Sequence, residues 1–368
     1  MQNQRKPGLD LIRIFSALLV IICHSGVYFS IGFSVNFVSF AGVIAVEFFF
    51  VLSGFLVGKS LIRTAVSEEQ GGMLKKFYVN RLFRILPLYY FALVLTALVS
   101  RQTIPLSYFA FLQNFRGDDL AFFAPSWSLS VEAWFYFLVP PLFCLLVKIL
   151  QGKRSEETAL WVTVGVLCLV PFVLRAVSAV CLEPQWDEGI RKQIPLRLDS
   201  IGIGVALAVM KQYHPKSYRQ YFSRPVCAAL SVVGIWLTYR FYCSYLAVDE
   251  RFDASAFYKI FMFSLWPVLC CMLVGFLDST TSLDFLNRFP PVRWLSDLSY
   301  GVYLMQLVVF RLVCGYFEGT RFFISWMGFL GAIALTNVLS AVTWFLIEKP
   351  MQKLGSKLLR HLSAVSME

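Results

Sequence analysis

The stretch LDLIRIFSALLVIICHSGVY, from Leu9 to Tyr28, decides the class of this protein, because it is apolar and long enough to cross a bilayer. It nevertheless contains Arg13 and His24, which lie 11 residues apart. That spacing turns a helix by about 1100°, some 20° past three full turns, so both side chains leave one face roughly 16 Å apart along the axis. A charge in hydrocarbon costs at least ~2.5 kcal/mol, so such residues usually face a protein interior or a wet cavity. We interpret this face as a candidate site. In the simpler alternative both side chains reach interfacial water and have no functional role.

The rest of the chain repeats this apolar character. Of its 368 residues, 58% are hydrophobic and 15% are charged, and the mean hydropathy is +0.67. Segments of about 20 apolar residues fit a hydrocarbon core of about 30 Å and predict an all-α, polytopic membrane protein with about ten transmembrane helices. The predicted spans are 9–30, 38–58, 84–100, 128–147, 158–180, 196–210, 225–246, 257–277, 298–316 and 323–347. No small-residue cleavage site follows the first span, so we interpret it as a helix and not as a signal peptide.

Charge in the short connections predicts the orientation. The connections on the N-terminal side carry 21 Lys and Arg residues, and those on the other side carry 11. This bias predicts that both termini are cytoplasmic in a multi-pass protein of the cell inner membrane. It also explains the net charge of +11 without nucleic acid, because no basic domain studded with aromatic residues is present. We expect residues 1–368 to form a single integral-membrane domain.

The nine cysteines do not predict a metal site. Most of them lie within predicted spans, and the sequence contains no CxxC motif and no Cys/His cluster. We interpret them as small apolar residues and expect no bound metal.

The second predicted span buries Glu47 and ends in Ser53-Gly54, where helices can approach closely. A buried carboxylate needs a partner, and Arg13 and His24 are the nearest candidates in sequence. An ordered water or a role in helix packing are the alternatives.

Polar residues also gather before the third span and at the start of the fourth. Arg81 and Arg84 are three residues apart, so on a helix they share a face and are suited to bind a phosphate. Alternatively, they are an ordinary basic membrane anchor. The segment Pro125-Ser-Trp-Ser-Leu-Ser-Val-Glu-Ala-Trp-Phe-Tyr136 places Glu132 and Tyr136 on one helix face. An interfacial aromatic belt explains its Trp and Tyr residues but not Glu132.

Three later segments complete the polar set. Arg197 and Asp199 stand at the outer entrance of the sixth span, where they bind a polar substrate or pair with other interfacial groups. Tyr303 and Gln306 share a face of the ninth span. At the end of the tenth span, Glu348-Lys-Pro350 predicts that proline stops the helix.

In this order, the motifs resemble the acyltransferase 3 family of membrane proteins, which includes bacterial O-acetyltransferases of glycans. The matching residues are Arg13 with His24, Glu47 to Phe55, Arg81 with Arg84, Pro125 to Tyr136, Arg197 with Asp199, and Glu348 to Pro350. One departure is Gln306, which stands where the family often has histidine. Some relatives also carry an SGNH esterase-like domain. The sequence ends soon after the last predicted span, so we expect no appended SGNH domain.

The resemblance implies an acyl-CoA-dependent O-acetyltransferase that acts on an extracytoplasmic or lipid-linked glycan. It implies acetyl-CoA as the donor, with Arg81 and Arg84 binding its phosphates, and it leaves homo-oligomerisation open. We expect Arg13 to bind the donor as well, at its thioester arm, or else to pair with Glu47. The residues that we expect to bind the acceptor are Trp127, Ser130, Tyr136, Arg197, Asp199, Tyr303 and Gln306.

Acyl transfer to an alcohol requires a base for the hydroxyl proton. His24 is the one histidine within a predicted span and is our candidate base, with Glu47 or Glu132 to orient its ring. The competing hypothesis is a transporter or flippase for a glycan or lipid, in which the same buried charges line the substrate path. The absence of an internal sequence repeat disfavours it.

Overall fold

A computed structural model describes residues 5–29, 31–65, 70–116, 120–150, 155–248, 250–316 and 326–365. These residues form helices and no β-strand, which confirms the all-α class. The helices are α1 (Pro7–Tyr28), α2 (Val35–Ala65), α3 (Gln70–Ser100), α4 (Gln113–Arg116), α5 (Ser126–Ile149), α6 (Ser155–Cys181), α7 (Leu198–Tyr213), α8 (Pro215–Phe222), α9 (Pro225–Phe241), α10 (Arg251–Ala254), α11 (Ala256–Ser279), α12 (Pro290–Tyr316), α13 (Trp326–Thr343) and α14 (Lys349–Val365). Within the described ranges, nine helical segments are long and apolar enough to cross a membrane, so the protein is a polytopic membrane protein.

The bundle has two distinct ends. We call the end where α1, α3 and α12 begin the basic end, and the opposite end, which holds the described parts of the connection after α3 (101–116 and 120–125), the loop end. Arg5 beside α1 pairs with Asp297 near the start of α12, at 2.9 Å. Gly355 of α14 packs against Phe83 of α3. The first and last described helices therefore meet the same end of the bundle.

The sixth predicted span is shorter than a bilayer-crossing helix. Its helix, α7, has 16 residues. It therefore rises only about 24 Å, against a hydrocarbon core of about 30 Å. It packs against α2, the most buried of the nine long helices, with 83% of its apolar window inside the protein. A Cβ at Gly54 of α2 would overlap the carbonyl of Ile201, and one at Gly204 of α7 would overlap that of Val51. Glycine thus lets the two backbones touch, as predicted.

The connection after α3 turns back into the bundle. The hydroxyl of Tyr90 donates to the carbonyl of Phe109 at 2.8 Å. Tyr90 lies ten residues before the end of α3, which is about 15 Å along the axis. The ring N–H of Trp134 on α5 donates to the carbonyl of Phe111 at 3.0 Å. Irregular backbone is tolerated at membrane depth where protein groups satisfy it, and these bonds have that role.

The prediction that Pro350 stops the last helix was wrong. A π-helical turn, Trp344–Glu348, follows α13 without a break and leads into α14 at Lys349. The run Trp326–His361 is thus one continuous helical segment. Pro350 removes one backbone N–H donor, and the hydrogen-bond pattern of the helix changes in the π turn just before it. Pro350 therefore lies within a helix and does not stop it.

Candidate active site

One cavity collects the three arginines that the sequence analysis assigns to the donor. Arg13 reaches it from α1, and Arg81 and Arg84 reach it from one face of α3. Glu132 and Tyr136, one helical turn apart, reach it from α5. We call this space the arginine cavity. Its remaining lining residues are Phe49, Phe50, Leu52, Ser53, Leu56, Ile85, Ser128, Leu129, Ser299, Tyr300 and Tyr303.

The arginine cavity carries more positive than negative charge. Arg13 has an ion-pair partner in Asp10, at 3.2 Å. In the part of the chain that the structure describes, no carboxylate lies within 4.0 Å of the guanidinium nitrogens of Arg81 or Arg84. The Arg81 guanidinium lies over the ring of Tyr136, 5.1 Å from its centroid. An arginine that is held by an aromatic face and has no acid partner is suited to bind a phosphate with two parallel N–H donors.

Hydroxyl groups hold Glu132 in place. Ser53 Oγ and the Tyr136 hydroxyl both donate to Glu132 Oε1. The two hydroxyl oxygens are 2.8 Å apart. Glu132 therefore faces the cavity as a fixed acceptor beside the arginines. These partners lie on α2 and α5, and they differ from the contact with His24 that the sequence analysis considered.

His24 lies outside the lining of the arginine cavity. Its ring is close to the side chain of Gln306 on α12, within reach of a side-chain hydrogen bond. Nδ1 of His24 and Oε1 of Gln306 are both buried, and neither has a hydrogen-bond partner of good geometry. The Gln306 amide donates instead to the carbonyl of Tyr303, at 3.2 Å. A small rotation of the imidazole would therefore satisfy both unpaired atoms with one hydrogen bond.

Helix α12 joins the arginine cavity to His24. Tyr303 lines the cavity, and its hydroxyl oxygen is 2.5 Å from Ser128 Oγ. Gln306, one turn further towards the loop end, faces His24. On α1, Arg13 lines the arginine cavity, and His24 lies a few turns beyond it beside Gln306. The face of α1 that these two residues were predicted to share therefore contributes to two neighbouring polar sites.

Glu47 pairs with Arg197 of α7, and the prediction that its partner is Arg13 or His24 was wrong. The Arg197 guanidinium also donates to Ser200 at 2.9 Å and lies 4.5 Å from the ring centroid of Phe263. Both charged side chains are buried. Among the described residues, Oε2 of Glu47 and Nε and Nη1 of Arg197 have no hydrogen-bond partner. This ion pair joins α2 to α7. The role of Glu47 in orienting His24 and the role of Arg197 in binding the acceptor stay predictions.

Asp199 is also engaged in helix packing. Its partner is Arg175 of α6, at 2.8 Å, and both side chains are buried. Arg175 donates further to the carbonyls of Leu196 and Ile260, at 2.7 and 3.1 Å, and to Ser264 Oγ at 2.7 Å. For Asp199, the sequence analysis left pairing with another group as the alternative to substrate binding. The structure shows such a pair, with Arg175, and the pair is buried. Sequence reasoning missed Arg175 because it stands alone in an apolar helix.

Trp127 lies at the loop end beneath an arginine that sequence reasoning also missed. The Arg191 guanidinium is 4.7 Å from the Trp127 ring centroid, and its Nε is 2.5 Å from Asp187. Burial alone would raise the pKa of Asp187, but Arg191 and Lys192 beside it lower that pKa to about 2. The pair is therefore charged at neutral pH. Arg191 is also an electrostatic neighbour of His24. The sequence signal was the i,i+4 spacing of Asp187 and Arg191.

Ser130 holds the inward-turning connection against α5. Its Oγ accepts a hydrogen bond from Gln113 at 2.6 Å and donates to the carbonyl of Ser126 at 3.1 Å. Asn114 in turn donates to the carbonyl of Trp127 at 2.9 Å. These bonds fix the start of α5 and therefore the direction of Glu132.

Comparison with known proteins identifies the family. A family model described as an acyltransferase domain matches residues 6–345. The peptidoglycan O-acetyltransferase OatA of Listeria monocytogenes is 25% identical over 384 residues, covering 95% of this chain and 56% of that protein. The putative peptidoglycan O-acetyltransferase YrhL of Bacillus subtilis is 26% identical over 372 residues, covering 95% of this chain and 55% of that protein. The O-acetyltransferase OatA of Staphylococcus aureus is 22% identical over 374 residues, covering 95% and 58%.

The chain thus spans just over half the length of these relatives. No solved structure matches it. The family match runs through nearly all of the helical bundle, including the arginine cavity and His24. The resemblance drawn from the motifs is therefore confirmed, and the chain belongs to the acyltransferase 3 family of membrane proteins.

Proposed function

We propose that this protein is a membrane O-acyltransferase that moves an acyl group, taken to be acetyl, from acyl-CoA to a hydroxyl of a glycan. The arginine cavity carries this proposal. It gathers three guanidinium groups and one carboxylate in its lining, and no described carboxylate lies within 4.0 Å of the guanidinium nitrogens of Arg81 or Arg84. Coenzyme A is multiply phosphorylated, and guanidinium forks bind phosphate oxygens in pairs. In the proposed complex, Arg13, Arg81 and Arg84 hold the donor.

The names of the relatives support acetyl as the transferred group and a glycan as the acceptor. Those of Listeria monocytogenes and Bacillus subtilis are named as peptidoglycan O-acetyltransferases, the latter putatively. Acetyl as the group and a glycan as the acceptor are therefore our proposals for this chain. We place the acceptor near Trp127 and Tyr303, between the arginine cavity and the loop end.

The proposed reaction is a direct transfer. The acceptor hydroxyl oxygen attacks the thioester carbonyl carbon, a new C–O bond forms and the C–S bond breaks. His24 takes the hydroxyl proton as general base and returns it to the leaving thiolate. Gln306 beside it would accept a hydrogen bond from the ring and stabilise the imidazolium. Glu132, fixed by Ser53 and Tyr136, would accept a hydrogen bond from a second hydroxyl of the acceptor at the cavity wall, so that the reacting hydroxyl points towards His24.

We infer that the basic end faces the cytoplasm of a cell whose inner membrane holds the protein. The 21 to 11 distribution of Lys and Arg supports this orientation. Acyl-CoA then enters the arginine cavity from the side on which it is made.

The test is acetyl-CoA binding and turnover by protein in lipid nanodiscs. We expect calorimetric binding and release of free thiol, both greatly weakened in the double variant Arg81→Ala with Arg84→Ala. Lysine at both positions should rescue binding only in part, because an ammonium group is a point charge and not a two-donor fork. Arg288→Ala, at an exposed position of the basic end outside the cavity, is the matched control. Normal acetyl-CoA binding by the double alanine variant, or no thiol release by the unmodified protein, would contradict the proposal. A transporter would also release no thiol.

A further inference from the structure

A buried carboxylate joins four helices at the basic end, outside the lining of the arginine cavity. Asp278 is the second-last residue of α11, and its side chain is buried. Its Oδ1 accepts a hydrogen bond from Lys59 Nζ of α2 at 3.4 Å, and its Oδ2 accepts one from Lys211 Nζ of α7. The hydroxyl of Tyr218 on α8 also donates to Oδ2, at 2.8 Å. We call these four residues the lysine cluster.

The lysine cluster lies at the depth where the helices leave the membrane. The apolar segment of α2 ends at Arg63, one turn after Lys59. Lys211 is the third-last residue of α7. A Cβ at Gly8, the second residue of α1, would overlap the carbonyl of Leu277 next to the cluster. The cluster is therefore at the basic end, at the level of the lipid headgroups, where long charged side chains near helix ends usually lie.

The lysine cluster carries more positive charge than its carboxylate balances. One ammonium group would neutralise Asp278, but Lys59 and Lys211 share it. No other described carboxylate lies within 4.0 Å of either lysine nitrogen. Arg63 is exposed and is an electrostatic neighbour of Lys59, so it adds a further cation. Like charges at short range repel one another, and an external anion would relieve that repulsion.

The two ammonium groups are held in place and partly exposed. Lys59 Nζ lies 3.9 Å from the ring centroid of Phe55, and Lys211 Nζ lies 5.7 Å from that of Tyr218. Such cation–π contacts restrict where an ammonium group can move. The Lys59 side chain is 29% exposed and that of Lys211 36%. An ammonium group has more than one donor, and Asp278 is the one described acceptor that the two lysines bind. Both therefore keep donors for an outside ligand.

Helix α8 adds a basic surface beside the lysine cluster. Tyr218 and Phe222 are one turn apart and face α11, where Phe222 packs on Gly275. Lys216 and Arg219 lie on the other face of α8 and are exposed. Basic residues next to a membrane span attract anionic lipid headgroups. The charge of α8 thus favours a ligand that belongs to the membrane surface over a small soluble anion.

We propose that the lysine cluster binds the phosphate of an anionic phospholipid headgroup. Basic pockets between transmembrane helices are known to take such headgroups. The phosphate oxygens would accept hydrogen bonds from Lys59 and Lys211 together, and Arg63 would add to the attraction. A lipid bound there balances the excess charge where α2, α7 and α11 end, and so stabilises that end of the bundle. The site shares no residue with the arginine cavity, and the inference does not depend on the proposed acyl transfer.

The test measures lipid binding by the purified full chain in detergent, using native mass spectrometry with phosphatidylglycerol and phosphatidylcholine of the same acyl chains. We expect preferential binding of phosphatidylglycerol. Lys59→Gln should weaken it about tenfold to a hundredfold, the range for one hydrogen bond to a charged group. This variant keeps the ion pair of Lys211 with Asp278, so the fold should persist. Lys59→Arg should retain binding. Arg288→Gln is the matched control, because it removes one charge from an exposed position of the basic end outside the cluster.

A second variant and a second measurement guard against loss of folding. Arg63→Gln changes an exposed side chain and should also weaken binding of phosphatidylglycerol. Phosphatidylglycerol should raise the melting temperature of the unmodified protein and of Arg288→Gln, but raise that of Lys59→Gln much less. Both measurements use folded protein in detergent and need no turnover. A failure to release thiol would therefore contradict the proposed function and leave this site standing.

Four results would overturn the proposal. Equal binding of phosphatidylcholine would show ordinary surrounding lipid. Equal losses in Lys59→Gln and Arg288→Gln would show attraction to the net charge of the basic end alone. Displacement of phosphatidylglycerol by inorganic phosphate at equal concentration would assign the cluster to a soluble anion. A loss of acetyl-CoA affinity in Lys59→Gln as large as its loss of phosphatidylglycerol affinity would assign the cluster to the donor.

Discussion

His24 is the residue on which the proposed chemistry depends most directly. We expect His24→Ala to lower turnover by about 10²–10⁴-fold, the range for loss of a general base. Acetyl-CoA binding should persist, because His24 does not line the arginine cavity. Steady-state thiol release and calorimetry on one preparation measure both quantities. His214→Ala is the control, since that exposed histidine pairs with Glu157 at 3.0 Å and is remote from the cavity lining. Unchanged turnover in folded His24→Ala protein would reject His24 as the base.

Gln306 is a positioning residue for His24 in this mechanism. Gln306→Leu keeps a similar volume but removes the amide that faces the imidazole. A hydrogen bond to a charged group contributes about 1.5–3 kcal/mol, so kcat should fall about tenfold to a hundredfold. KM for acetyl-CoA should not change, and Gln306→His should restore part of kcat, because a ring nitrogen can accept the same hydrogen bond. An equal loss of kcat in Gln306→Leu and Gln306→His would point to a packing role alone.

At the residue scale, the sequence indicated the groups that stand in short motifs. Arg81 and Arg84 were predictable as a pair because their spacing places them on one helix face. Arg175 was not, because a lone arginine in an apolar helix has no period or partner in sequence. Its partner, Asp199, lies on another helix. Three-dimensional packing alone brings such charges together, and the same is true of Glu47 with Arg197.

At the element scale, the contact of α2 with α7 should be the most sensitive to added volume. A Cβ at Gly54 would overlap the backbone of Ile201, so Gly54→Ala should lower the free energy of unfolding by about 1–3 kcal/mol. Gly165→Ala on α6 is the matched control, since no heavy atom lies within 4 Å of its added Cβ. The control should be neutral, or more stable by up to about 1 kcal/mol, because alanine favours helix. Thermal unfolding in detergent compares them, and equal melting temperatures would show that α2 and α7 separate readily.

The long apolar elements were predictable and their connections were not. A span of about 20 apolar residues has one stable form in hydrocarbon, so length and hydropathy located the helices. The predicted spans 84–100 and 128–147 leave the connection after α3 outside the apolar helices. This connection folds back alongside α3 because of hydrogen bonds such as that from the Tyr90 hydroxyl to the carbonyl of Phe109. No local sequence pattern predicts such bonds. Likewise, a proline in sequence often marks the end of a helix, but the helix continues past Pro350 because a π-helical turn precedes it.

At the scale of the whole molecule, the polar groups occupy two levels. The arginine cavity contacts α1, α2, α3, α5 and α12, and its three arginines come from the halves of α1 and α3 near the basic end. His24, Trp127 and Arg191 lie towards the loop end. Tyr303 and Gln306 of α12 connect these levels. Such an arrangement allows donor and acceptor to approach one site from different directions.

We therefore expect the donor to enter at the basic end and the acceptor to react from the loop end or from the bilayer. Only the acyl group would then cross the membrane, because in the proposed complex the phosphates of coenzyme A would stay with the arginines at the basic end. Sealed vesicles with oriented protein test this arrangement. Acetyl-CoA confined to the side of Arg81 should acetylate an acceptor supplied only on the side of Trp127. Acetyl-CoA on the Trp127 side should be inactive, and Arg288→Ala protein should behave like the unmodified protein. A requirement for both substrates on one side would refute the opposed entry paths while leaving acyl transfer itself intact.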